Sequence, residues 1–233
     1  MEQTAVIPDI QKAMILDIRQ IARHTYHLKI QGDDFKQMAY VPGFTMDMYL
    51  GDPFTEPEVA DRKYSFWNYD SENQIADIAI CTFSKGKGAA WIQTLQPGEM
   101  VYFKPPRGKL LADTSADKYL LIGDVTALSH LYEIYRHLPA EKEIFSFIYA
   151  KAAADIFPDI DGSLPFSYHL IYPVSAKVIT RQVMLYLPED IDQAMAYIVG
   201  DPDTSVMLHN YFKKERGFPA QNLKTKPFWK TDK

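Results

Sequence analysis

The stretch "KYLLIGDVTALSHLYEIYRHLPAEKEIFSFIYA", Lys118 to Ala150, decides the fold. A compact apolar run ends at Gly123, an amphipathic pattern follows through "TALSHLYEIYRHL", and "EIFSFIYA" is a second apolar run. Apolar run, helix and apolar run read as strand, helix, strand. Strands alternating with helices imply a parallel sheet covered on both faces. The rhythm continues downstream through "FSYHLIYP", a helical "AKVITRQVMLYL", the strand "AMAYIVG" and a helix through "DTSVMLHNYFKKER".

Upstream the rhythm is different. "AMILDIRQIARHTYHLKIQG", "MAYVPGFTMDMYL" and "NQIADIAICTF" carry strand patterns, and "EMVYFK" returns to strand after a short helical "GKGAAWIQTL". Helix formers are scarce before residue 110, which favours a small antiparallel barrel. The polar segment "ADTSAD", residues 112–117, marks the expected boundary. The expectation is a β-barrel over 1–112 followed by an α/β domain over 113–233.

The 233 residues suffice for a sizeable core, and 47% hydrophobic with 24% charged residues is ordinary for a globular protein. No apolar run is long enough to span a membrane, and the amino terminus lacks a signal-peptide pattern. The single Cys81 excludes an internal disulfide and any multi-cysteine metal site. A cytoplasmic location is expected. The charge is uneven: residues 209–233 carry +5 and the preceding 208 residues −10. A basic tail on an acidic chain points to an anionic or oxygen-rich partner, although most charge runs are simply solvated.

Three places carry candidate chemistry. In "DRKYSFWNYD", Asp61–Asp70, Arg62 and Tyr64 stand two apart and Ser65 follows, so the three are not one polar edge. A guanidinium can clamp a diphosphate, a tyrosine ring can lie against a flat ligand, and a serine can donate to a ring nitrogen. The plain alternative is an aromatic-rich strand with one surface ion pair. Next, "SKGKGAAWIQTLQPGE" places Gly86 and Gly88 before a short helix beginning near Ala89, where backbone N–H groups attract phosphate. An ordinary strand-to-helix turn reads the same way. Third, "YLLIGDVTALSHL" ends a strand at Gly123 and starts a helix near Thr126, the position where open α/β sheets collect ligands. It lacks the GxGxxG pattern, and the plain alternative is a capped helix, with Asp124 or Thr126 supplying the cap.

Taken in order, "RKYS", "GKGAAWIQTLQPGE", "PPRGKL", "LLIGDVTAL", "AYIVGD" and "KPFWK" resemble the siderophore-interacting proteins, FAD-dependent ferric-siderophore reductases of the ferredoxin-reductase superfamily. The resemblance implies an FAD-binding barrel followed by an NAD(P)H-binding-like α/β domain. It assigns Arg62 to the flavin diphosphate, Tyr64 to the ribityl chain and ring, and Ser65 to the neighbourhood of the flavin N5. Gly88, Ala89 and Ala90, ahead of Trp91, match the diphosphate-binding helix start. Asp124 and Thr126 match the motif facing the nicotinamide. On this reading Ser65, Asp124 and Thr126 take the catalytic positions, and no metal site is expected. The basic tail, with Lys213, Lys214, Lys224, Lys226 and Lys230, matches the region that holds a ferric chelate. The chain departs from the family pattern at Trp67, Pro105 and Val125, where an Arg, a Gly and a Glu are usual. The last change leaves room for a different electron donor.

Other readings fit parts of the sequence. A ferredoxin-reductase-like flavoprotein could exchange electrons with a protein partner, a ferredoxin-like donor for example. A non-catalytic ferric-chelate binder would share the tail without needing Arg62 or Ser65. Lys151, after "EIFSFIYA", could meet a 2′-phosphate, but a lone surface lysine is usually solvated. His24 and His27 are expected on opposite faces of one strand, and His130 and His137 lie two helical turns apart, so neither pair forms a metal site. No GxSxG elbow supports a hydrolase. Nucleic acid is disfavoured by the −10 carried outside the tail.

Overall fold

The computed structural model describes residues 9–56, 58–84, 86–191 and 193–229. The chain divides into two compact units, Met1–Lys109 and Leu110–Lys233, so the division falls ahead of the polar "ADTSAD" segment.

The first unit holds β1 (Gln11–Ala22), β2 (Thr25–Gln31), β3 (Thr45–Tyr49), β4 (Asp61–Asp70), β5 (Ile75–Cys81), a short helix α1 (Lys87–Ile92) and β6 (Met100–Arg107). The six strands close into an antiparallel barrel in the order β1-β2-β5-β4-β3-β6. Alternation explains its filling: Leu28 and Ile30 on β2, Met46 and Met48 on β3, and Ile78 and Ile80 on β5 join Phe66 and Phe103 in one apolar core. Strand β4 departs from strict alternation through a register shift between Phe66 and Asn68. Phe66 and Trp67 are both buried there, at 0% and 4% exposure. The aromatic run therefore has a packing role: Phe66 and Tyr69 meet Phe35 and Tyr40, and Trp67 meets His27 edge-on at 5.1 Å between ring centres.

The second unit runs β7 (Lys118–Asp124), α2 (Leu128–Arg136), β8 (Glu143–Ala150), β9 (Tyr168–Leu170), α3 (Ala176–Tyr186), β10 (Met195–Gly200), α4 (Pro202–Lys214) and β11 (Leu223–Pro227). Its parallel sheet has the order β11-β10-β7-β8-β9. Leu120, Ile122, Phe147, Ala196 and Ile198 pack with Ile179 and Val183 of α3 and Leu208 and Phe212 of α4. Residues of opposite parity, Tyr119, Leu121 and Val199, are equally buried, which is why these strands read as continuous apolar runs. The sheet grows from β7 toward β9 and then returns to β10 on the other side of β7. The order of the strands thus reverses between β7 and β10, and their carboxyl ends, Gly123–Asp124 and Gly200, flank the point of reversal.

Candidate functional site

In the barrel, Arg62 and Tyr64 come together with α1. A Cβ at Gly88 would overlap the Tyr64 hydroxyl and reach 3.5 Å from Cγ of Arg62. Glycine is required there because the phenol occupies the space a side chain would take. The Trp91 ring lies nearly parallel to that of Tyr64, 14° apart with centres at 6.4 Å. Burial pushes the Tyr64 phenol up to about 12, against the opposing charge of Arg62, so it remains a hydrogen-bond donor at neutral pH. Arg62 is exposed, with one guanidinium nitrogen donating to the Asp61 carbonyl at 2.7 Å.

One expectation needs correction here. The helix starts at Lys87, with Gly86 as its cap, rather than near Ala89. The N–H groups of Ala89 and Ala90 both donate to the Gly86 carbonyl, at 3.0 and 3.2 Å, because they already belong to the first helical turn. The ordinary geometry of a helix start leaves the amides of Lys87 and Gly88 for a ligand instead. Ser65 is 8% exposed and stands on the other face of β4 from Tyr64, opposite Thr45. The structure therefore gathers Arg62, Tyr64, Gly88 and Trp91, and leaves Ser65 beside them on the adjoining face.

In the second unit, Asp124 caps the turn after β7. Its Oδ1 accepts the Thr126 N–H at 2.8 Å and the Thr126 hydroxyl proton. The residues Val125–Ala127 form a short 3₁₀ turn and α2 follows at Leu128, so the helix starts slightly later than the sequence indicates. Gly200, at φ +108°, lets the end of β10 approach this carboxylate, and a Cβ there would lie 2.8 Å from Oδ1 of Asp124. Across the turn, Asp201 caps α4 through the Thr204 N–H at 2.7 Å. Burial raises the Asp124 carboxyl to about 6, against its bonds to Thr126, and the charge of Asp201 adds to the rise. A carboxyl with this affinity takes up a proton in mild acid, beside the ends of two strands.

The lysines are not gathered into one cluster. Lys213 and Lys214 are exposed in the last turn of α4, which runs back from the carboxyl ends of the strands to the opposite edge of the sheet. Lys224 is paired with Asp113 at 3.2 Å. Lys226 stands beside Val199 in the strand register, near the carboxyl edge, with its ammonium 5.7 Å from the centre of the Phe228 ring. Lys230 lies outside the described residues. The spacing of lysines in sequence carries no information about which end of a sheet each reaches.

Sequence reasoning missed His130 and Phe228. His130 is fully buried on α2 and meets Phe228 edge-on at 5.5 Å, while the Phe228 N–H donates to the Gly200 carbonyl at 3.0 Å. Burial, aided by the charge of Lys226, lowers His130 to about 3 and keeps it neutral. The end of the tail is thereby tied to the strand ends carrying Asp124. The other histidines are placed differently from the expectation too. His24 sits in the turn between β1 and β2, whereas His27 is buried on β2. Among the described residues, no group of three or more His, Cys, Asp or Glu side chains could hold a metal ion. None of the described helices is long and apolar enough to cross a membrane.

An antiparallel barrel of six strands followed by a five-stranded parallel sheet defines the ferredoxin-reductase-like fold. The chain matches the family model described as siderophore-interacting protein over residues 116–232, and it belongs to that family. A siderophore-interacting protein from Acinetobacter baumannii superposes with a TM-score of 0.80 at 12% identity, covering 96% of this chain and 91% of that one. SipS, a siderophore-interacting protein from Aeromonas hydrophila, gives 0.81 at 14% identity, with 97% and 93% covered. The ferredoxin reductase of a carbazole 1,9a-dioxygenase gives 0.77 at 17% identity, covering 97% of this chain and 71% of that one. No curated protein matches the chain.

Proposed function

We propose that the protein is an FAD-dependent ferric-siderophore reductase, in which electrons from NAD(P)H pass through FAD to chelated Fe³⁺. The observation that carries this reading is the convergence of Arg62 and Tyr64 on Gly88 at the start of α1, with the Trp91 ring nearly parallel to that of Tyr64. These residues fit a flavin dinucleotide. Arg62 and the first amides of α1 hold the diphosphate, Tyr64 offers a flat ring and a protonated hydroxyl, and Ser65 takes the position near N5 that the family resemblance assigns. Bound there, FAD supplies the conversion of an electron pair into single electrons.

The second unit serves as the nicotinamide side in this reading. Asp124, mostly ionised at neutral pH, accepts hydrogen bonds, which suits the amide of a carboxamide. Lys226 is the tail lysine best placed to attract an anionic chelate. Oxygen ligands hold hard Fe³⁺ more strongly than Fe²⁺, so reduction loosens the iron and no general base is needed. The reaction is assigned to the cytoplasm.

One observation favours a second reading, with a ferredoxin-like protein as donor. Asp124 uses the Thr126 N–H for its own carboxylate and Asp201 does the same at Thr204, so both turns at the reversal point present acid where a dinucleotide phosphate would meet free amides. The visible spectrum of the purified protein under anaerobic conditions tests both. A flavin band that bleaches with NADH or NADPH and returns on adding a ferric hydroxamate supports the first reading. A band bleached only by a reduced iron–sulfur protein supports the second, and a chain that takes up no FAD excludes both.

A further inference from the structure

Trp91 borders a second feature of the barrel. A cleft of about 300 Å³ lies where β3 ends and β6 begins, and its lining includes Tyr49, Asp52, Trp91, Leu95, Glu99 and Tyr102. The aromatic wall follows from the register. Met48 and Phe103 are partners on β3 and β6 and both belong to the apolar core, so the next residues along, Tyr49 and Tyr102, face the other way. Packing of the core accounts for Phe66 and Phe103, but not for two tyrosines side by side on the outer face. Phe54 stands edge-on to the Tyr102 ring, with centres 5.6 Å apart, and Leu95 adds apolar surface.

The charged residues lining the cleft, Asp52 and Glu99, are both acidic. Asp52 Oδ1 accepts the Phe54 N–H at 2.8 Å and Glu99 Oε2 accepts the Gln96 N–H at 3.0 Å, so each carboxylate is held in place by its own turn. Gly51 also lines the cleft, and the Glu56 carboxylate lies so close that a Cβ on Gly51 would be 2.5 Å from it. Among the described residues none of these three carboxylates is ion-paired. Lys104 stands 5.3 Å from the centre of the Tyr49 ring, but its charge is met by Asp61.

Aromatic faces are electron-rich and attract a weakly hydrated cation, and a carboxylate supplies the opposite charge. An alkylammonium group offers carbon surface to the rings and a spread positive charge to the acids. A hard metal ion is held instead by oxygen ligands closing round it, and the rings supply none of these. An anion would meet three carboxylates.

We propose that this cleft binds an organic cation, an alkylammonium group, with Tyr49, Trp91 and Tyr102 against its carbon surface and Asp52 and Glu99 supplying the counter-charge. The proposal stands apart from the flavin reading and requires no bound cofactor.

The test uses choline as the probe and, as control, its neutral isostere with carbon in place of the quaternary nitrogen. Binding to the nitrogen-labelled full chain is followed by NMR at the Trp91 indole N–H and at the amides of Asp52 and Tyr102. The expected result is a saturable shift with choline and binding weaker by about fivefold or more for the isostere. Glu99→Gln should weaken choline about threefold or more and leave the isostere unchanged, and Tyr102→Leu should weaken choline by a similar factor. Trp91 is left in place because it also belongs to the flavin cradle. If Tyr102→Leu does not fold, Glu99→Gln decides. Equal binding of choline and its isostere overturns the proposal, as does the lack of any saturable shift. Adenosine binding at the same residues more tightly than choline overturns it too, since a flat neutral ring would then be the better occupant.

Discussion

Gly88 is the residue on which the barrel site turns. Its replacement by alanine brings a methyl group into the Tyr64 hydroxyl, while the ring carbon behind that hydroxyl remains at an ordinary 3.7 Å. Gly88→Ala should weaken FAD binding by about tenfold or more, about 1.4 kcal/mol. Adding Tyr64→Phe should recover part of the loss, which fluorescence titration of the single and double variants measures. Two buried titrating groups in the second unit predict opposite effects of acid. His130 is lowered to about 3, so its contribution to stability is complete above the ordinary histidine range and is lost as pH falls below it. Asp124 is raised to about 6, so its contribution is present below the ordinary aspartate range and is lost as pH rises through 6. Between about pH 4 and 6 the two slopes oppose. His130→Gln should make stability less sensitive to acid and Asp124→Asn more sensitive, as read from melting temperature against pH.

At the scale of elements, the strand–helix alternation after Lys118 was legible because the apolar runs are short, most of them end at Gly, Asp or Pro, and amphipathic stretches separate them. The barrel strands were legible from their period of two. What was not legible followed from register and bulge. The shift at Trp67 keeps Trp67 and Asn68 both off the core and brings Tyr69 against it, which strict alternation from Phe66 would not do, and no local pattern in "YSFWNYD" announces it. The His27–Asp77 pair is joined across fifty positions, so it exists only once β2 and β5 are in register. The described lysines of the tail share a short stretch of sequence yet end at different places on the sheet, because the chain turns back after α4 to enter β11. Gly200 shows how one element end constrains another. Gly200→Ala combines a backbone strain of about 1–3 kcal/mol with a contact on the Asp124 carboxylate. Its melting temperature should fall by several degrees, and Asp124→Ala should relieve only the part that the contact contributes.

For the molecule as a whole, the division into two units near Lys109 makes a prediction about the parts. All six barrel strands, with α1, lie within the first 109 residues, and among the described residues the buried core they form draws on no later segment. A chain of residues 1–109 should fold by itself and retain FAD, with a cooperative thermal transition and a flavin band surviving gel filtration. A fragment that is unfolded, or folded yet colourless after incubation with FAD, would refute this. The closure of the barrel also bears on the order of events during synthesis. Its seam is the pairing of Gln11–Met14 with Met100–Phe103, so the first strand waits for the last before it is covered on both edges. A nascent chain exposes β1 as a template for neighbours until about a hundred residues have left the ribosome, and a substitution that slows β6, the strand that closes the seam, would show first as aggregation in the cell and only later as a lowered melting temperature.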